Sequence, residues 1–335
     1  MNGRDLLILA AVLLVGGFAV ADAIRSEAES TRPQTQAEEP TTRSSVVPEP
    51  PEDLGRTRFP GVSGAGGSVV FTQPGTCPVR EVDVSSGFEF ANVVARSSCE
   101  LWVPPVTGRV AVGIGQATRD AVPFRFVDLA GTSQNLGGSR ALFAFLVWSD
   151  DGQRAAWCTR PTTGFDVQVV GRGSRRLPEC PAAYSPDGEI AYAREDRVVV
   201  EGGRTELRAS GTVTFVKYAA DGSVAVVVDG TRIERWSEGR RQQLVDLPAA
   251  LQGKNPIFSP DNCAALFRDG DAMRLVDVGC FPFEERSFSG TTGAWSPDGR
   301  WIAVGGPSRL VFHDLEGGQP VDWPVGAVEI AWRRS

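Results

Sequence analysis

A chain of 335 residues with 41% hydrophobic and 22% charged residues can bury a large core and is not compositionally disordered as a whole. Its formal net charge of -7 excludes an electrostatic nucleic-acid binder, which needs a basic face to displace counterions from phosphates. Gly 38 and Pro 23 announce many turns. Lys217 and Lys254 are the only lysines beside many arginines, a bias read as that of a GC-rich genome.

The chain begins with an uninterrupted apolar run over residues 6–21, preceded by Arg4 and followed by Asp22 and Arg25. Its length lies between that of a cleavable signal and that of a full membrane span, and Ala19-Val20-Ala21 would serve as a cleavage site. Residues 1–24 are therefore read as a signal anchor, with a cleaved signal peptide as the alternative. Residues 25–60 hold almost no aromatic side chain and are rich in Pro, Glu, Thr and Ser, including Pro48-Glu49-Pro50-Pro51-Glu52. Such a segment forms a disordered stalk, which is useful when its far end is held. Either reading places residues 61–335 outside the cytoplasm, at a cell membrane by a single pass or secreted.

The cysteines agree with that address. Cys77, Cys99, Cys158, Cys180, Cys263 and Cys280 are even in number and form no C-x-x-C metal or redox spacing. Six cysteines permit 15 connectivities. In sequence order they make three local pairs, 22, 22 and 17 residues apart, the expected distance between neighbouring strands of one sheet.

From residue 148 a turn preceded by an aromatic recurs. It reads Trp148-Ser149-Asp150-Asp151-Gly152, Tyr184-Ser185-Pro186-Asp187-Gly188, Tyr218-Ala219-Ala220-Asp221-Gly222, Phe258-Ser259-Pro260-Asp261-Asn262 and Trp295-Ser296-Pro297-Asp298-Gly299. The steps between copies run from 34 to 40 residues, near the period of a four-stranded propeller blade. Pro presets φ in the turn, Asp bonds the neighbouring backbone, and Gly or Asn takes the left-handed conformation that closes a hairpin. Short apolar strands follow each turn, such as residues 224–228 and 301–304, and a third run ends at an acidic residue, as in residues 273–277 and 310–314. A polar outer strand, such as residues 204–207, completes the unit.

Residues 101–112 are a weaker copy with one extra residue in the turn, and residues 328–332 look like the first strand of an unfinished unit. Strand-like residues 68–72 and 79–84 would complete that unit and close a ring, removing free sheet edges. The expected fold is all-β, a single β-propeller of seven blades or six, closed by N- and C-terminal strands, with one N-terminal hydrophobic helix.

These Ser-Pro-Asp-Gly turns after an aromatic resemble the TolB-type, WD-like β-propeller repeats of bacterial envelope proteins, over about residues 61–335. The resemblance implies an envelope scaffold, a lipoprotein propeller beside a signalling system, or the propeller half of an oligopeptidase. For the last, neither a G-x-S-x-G elbow nor a hydrolase segment after the repeats is found.

Catalytic groups are sparse. His313, the single histidine, lies in an apolar strand run and reads as a strand residue. Gly113-Ile114-Gly115 reads as a strand end and hairpin loop, because a strand pattern and not a helix follows it. Asp269-Gly270-Asp271 reads as a hairpin turn lacking further calcium ligands. The repeated aromatics, in constant register, are expected to pack between adjacent blades. The expected function is a non-catalytic, membrane-anchored binding or scaffold module for an envelope protein, peptide or glycan, with no cofactor, metal or nucleic-acid partner. The alternative is a propeller hydrolase or lyase using channel carboxylates, with calcium as a candidate aid.

Overall fold

The recurring turns carry the architecture. In each, the residue after the aromatic accepts a backbone hydrogen bond from the residue three positions on, as in Gly152 to Ser149 (2.9 Å), Gly188 to Ser185 (2.8 Å) and Gly299 to Ser296 (2.9 Å). The closing residue has positive φ in all five copies, from Gly152 at 65° to Gly222 at 81°, with Asn262 at 58°. The aspartate side chain then caps the next backbone N–H in four of them, such as Asp221 Oδ1 from Ser223 (2.8 Å) and Asp298 Oδ1 from Arg300 (3.1 Å). The backbone geometry of each turn is thus set largely by its own residues.

The structure, a computed structural model, describes residues 58–93, 99–106, 109–113, 121–129, 139–142, 146–159, 165–169, 173–280 and 286–334. The expected hydrophobic helix and nearly all of the expected stalk lie outside them. Among the described residues no helix is long and apolar enough to cross a membrane.

The strands form seven four-stranded antiparallel sheets, six of them built from four consecutive strands. The fifth sheet is typical, running Val213–Tyr218, Val224–Val228, Arg232–Ser237 and Arg240–Asp246. Its second strand is buried along its whole length, while its outermost is almost wholly exposed. A strand flanked by sheets on both faces needs an apolar residue at every position, which is why Val224–Val228 does not alternate.

The first sheet departs from this pattern in the way the sequence led us to expect. The last strand, Glu329–Arg333, pairs antiparallel with the first, Ser68–Thr72, in the register Ser68 to Arg333 through Thr72 to Glu329. Val79–Asp83 and Glu89–Val93 complete it.

Seven clusters of buried residues lie among the described residues, and each joins two consecutive sheets. Val70 and Val79 of the first sheet meet Val110 and Val112 of the second. Ala225 and Val227 of the fifth meet Ala265 and Phe267 of the sixth. The remaining cluster joins Val69 and Phe71 of the first sheet to Trp301, Phe312 and Trp323 of the seventh. Seven sheets with seven shared cores make a closed ring, each core contributing about 1.5–3 kcal/mol per fully buried large aliphatic, with the largest cluster at the junction of the first and seventh sheets.

Among the described residues, those ahead of Ser68–Thr72 pack onto the sheets. Phe59 is buried and stacks on Trp323 with ring centroids 4.6 Å apart. Trp323 Nε1 also donates to the Pro60 carbonyl (2.7 Å). The segment before the first strand is therefore part of the core.

Candidate functional site

The cysteines are paired Cys77 with Cys99, Cys158 with Cys180, and Cys263 with Cys280. Their placement corrects the expectation that all three join neighbouring strands. Only Cys263 and Cys280 flank a hairpin, made of Ala264–Asp269 and Ala272–Asp277. Cys77 lies in the loop after Ser68–Thr72, and Cys99 just before the first strand of the next sheet. Cys158, in Ala155–Thr159, reaches Cys180 in the connection between the third and fourth sheets. Two of the bridges thus secure passages from one sheet to the next.

The turn residues Asp151, Gly152, Asp187, Gly188, Asp221, Gly222, Asp261, Asn262, Asp298 and Gly299 shape the backbone. Asn262 does more, since its Nδ2 donates to the carbonyls of Lys217 and Ser223 in the preceding sheet, both at 3.2 Å. The pre-turn aromatics pack back on the preceding sheet. Trp295 lies among Leu266 and Met273 and donates to the Ile257 carbonyl (2.8 Å), while Tyr184 packs with Ala156 and Val167. The hydroxyl of Tyr218 bonds Glu206. His313 is half-buried against Phe288 at 4.6 Å, and burial, with Arg309 nearby, lowers its pKa. Asp269 pairs with Lys254 (3.0 Å) and Arg274 (3.5 Å) at its hairpin turn, and Gly113 ends a strand that pairs with Ala121–Asp128.

What the sequence reading did not foresee is where the first strands converge. Six of the seven sheets line one cavity of about 540 Å³ with their first strands or the turns that follow. The repeat sets its walls in layers, because residues two apart on a strand face the same way, about 7 Å apart along it.

The layer at the turns is made by Pro104, Ala220, Pro260 and Pro297, with Asp150 and Arg334 as its two charges. The middle layer lies one residue before the aromatic. At that register position six strands carry Leu101, Val147, Ala183, Ile257, Ala294 or Ala331 and the seventh Lys217; of these, Lys217, Ile257, Ala294 and Ala331 line the cavity. Ile257 is 37% exposed, and that face is turned to the cavity. The far layer holds Phe215, Thr292 and Glu329. Lys217 is thus the one charged residue at this register position, beside the apolar Ile257, Ala294 and Ala331 of the cavity wall. Aligning the repeats on their aromatics shows this position in the sequence itself.

The electrostatics follow from the enclosure. Burial among the ring's apolar walls lowers the Lys217 pKa; Asp150 opposes the shift and Arg334 adds to it. Burial also pushes Glu329 up to about 7, and repulsion from Glu100 adds to that against the attraction of Arg268. Folded Glu329 thus keeps a proton that the unfolded chain, with an ordinary value of 4.5, has already released. Its contribution to stability is full below about 4.5 and is lost as pH rises through about 7. Glu329→Gln is therefore expected to gain stability relative to wild type on going from pH 5 to pH 7.5, read from urea midpoints at both. An unchanged difference would sink this assignment. Among the described residues no group of three or more His, Cys, Asp or Glu is placed to hold a metal.

A closed ring of four-stranded meanders around a central cavity defines the chain as a β-propeller protein. No protein-family model matches the chain, and no curated protein matches it. Among solved structures it is similar to TolB from Acinetobacter baumannii, at 15% identity and TM-score 0.46, covering 83% of this chain and 68% of that one. It is also similar to the Cps50 (Swd1) β-propeller domain of Myceliophteria thermophila, at 14% identity and TM-score 0.47, covering 70% and 88%. A further likeness is to hydrazine synthase of Kuenenia stuttgartiensis, at 14% identity and TM-score 0.47, covering 64% and 76%.

Proposed function

We propose that this chain is a non-catalytic recognition module, a seven-bladed propeller of the TolB-like, WD-like kind. It is held outside the cytoplasm by its N-terminal apolar run and binds an extended segment of an envelope partner in its central cavity. The observation that carries this reading is the cavity itself, whose volume of about 540 Å³ lies within the range of ligand-binding clefts. Its wall combines apolar and aromatic surface with a few separated polar groups, the composition typical of such clefts. Three disulfides suit an oxidising compartment.

A second reading, channel chemistry by carboxylates, is favoured by the raised pKa of Glu329 beside Glu100. The recognition reading takes Glu329 as part of the wall.

The test is to block the cavity without touching the outer surface. Ala331 faces the cavity from the closing strand, and Ala331→Phe would fill its middle layer. Full-length wild type, crosslinked in envelope preparations, is expected to retain a stoichiometric partner that Ala331→Phe loses, with both chains folded by circular dichroism. Equal recovery by the two chains, or no partner with either, would overturn the proposal.

A further inference from the structure

Lys217 is placed where a cation has no structural task. The other six strands carry an apolar residue at its register position, and Lys217 lines the cavity with three of them, Ile257, Ala294 and Ala331. Among the described residues its ammonium has no ion-pair partner within 4 Å, whereas Lys254, the other lysine, is held by Asp269 at 3.0 Å. The Lys217 side chain is partly buried beside apolar wall residues, so its ammonium is left open to a partner supplied from outside the chain. The charges that face it are Asp150 and Arg334, both one layer away at the turns. The backbone of Arg334 is held there, its main-chain N–H donating to the Pro105 carbonyl (2.8 Å).

The cavity's middle and turn layers thus carry two cations and one carboxylate. With Glu329 in the far layer the wall holds two charges of each sign, yet among the described residues neither carboxylate lies within 4 Å of the Lys217 ammonium, which shares the cavity with the apolar Ile257, Phe215 and Trp295.

We propose that Lys217, with Arg334 behind it, is the anchor for a carboxylate carried at the tip of an apolar polypeptide segment inserted into the cavity. The proposal rests on the recognition reading above and names the group recognised. The carboxylate takes the place of the missing ion-pair partner, and the segment's apolar side chains cover the exposed Ile257 and the aromatic edges. A charge-assisted bond formed away from bulk water is stronger than the same bond at the surface.

Having two lysines makes the test direct. Full-length chain is trace-acetylated at pH 7.5 with a short apolar peptide bearing a free terminal carboxylate, with the same peptide amidated, or with hexanoate. Modification of Lys217 and Lys254 is then read by peptide mass spectrometry. The carboxylate peptide is expected to protect Lys217 at least tenfold and leave Lys254 unchanged, and the amidated peptide is expected to protect neither.

By fluorescence anisotropy, Lys217→Met is expected to weaken the labelled carboxylate peptide at least tenfold, and Lys217→Arg to restore most of the affinity. Equal protection by the two peptides, or unchanged binding to Lys217→Met, would overturn the anchor. Protection by hexanoate as strong as by the peptide would overturn the polypeptide source in favour of a free acid. If Ala331→Phe loses the envelope partner while Lys217→Met keeps it, the anchor fails and the recognition reading stands.

Discussion

Full-length chain carrying Arg333→Met is expected to lose about 3–5 kcal/mol of stability, the cost of leaving a buried charge without its partner. Arg333 is 2% exposed and lies on the last strand, with Glu81 on the far side of Ser68–Thr72. Its Nη2 lies 2.5 Å from Glu81 Oε1, its Nε donates to the same oxygen at 2.9 Å, and Ser68 Oγ donates there as well at 2.6 Å. Removing the guanidinium strands the carboxylate between strands that exclude water. The double variant Arg333→Met with Glu81→Leu removes both charges and is expected to recover most of the loss, since an apolar pair of similar volume is tolerated at such sites. Urea unfolding of the three chains decides the matter. A single-variant loss below about 1 kcal/mol, or a double variant no better than the single, would show that the pair does not hold the closing sheet.

The second large effect is expected at Trp323, which is fully buried on the outermost strand of the seventh sheet. It stacks on Phe59 at 4.6 Å, meets Phe312 at 4.5 Å, and bonds the Pro60 carbonyl. Trp323→Ala should cost about 3–5 kcal/mol, as for other buried large aromatics, because the cavity it leaves is walled by other sheets and cannot collapse. Trp323→Phe keeps the stacking but loses the bond to Pro60, and should cost on the order of 1 kcal/mol. Limited proteolysis gives a second readout. Cleavage between residues 58 and 62 should appear in Trp323→Ala and not in Trp323→Phe, and its absence from both would mean that Trp323 does not dock that segment.

The turns were legible because their chemistry is local. Asp221, Gly222 and their counterparts fold the same way whatever surrounds them, so the period and strand order could be read directly. The closing strand was legible for a related reason. Residues 328–332 repeat the pattern of a first strand, and residues 68–72 and 79–84 supply strand patterns that lack one. Phe59 was not legible, because its partner Trp323 lies 264 residues away and no local pattern links the two. The disulfides were half legible, since sequence order suggests proximity but not whether a bridge lies within a sheet or between two. Lys217 lay in plain view, yet its meaning depends on which face of the strand turns to the ring's centre, and that is fixed only when all the repeats are superposed.

The closing sheet also governs the order of events when the chain is made. Trp332 Nε1 bonds the Gly66 carbonyl, 266 residues earlier, and Arg333 reaches Ser68 across 265. Contacts so distant in sequence form slowly, because the loop they close must first be drawn together. The strand Ser68–Thr72 is among the first of the fold to be synthesised, and its true neighbour is the last. Through the whole of that interval one side of it presents unpaired backbone groups and an apolar face. A newborn copy is then at its most vulnerable to pairing with another newborn copy, and docking of Glu329–Arg333 is what removes that exposed edge.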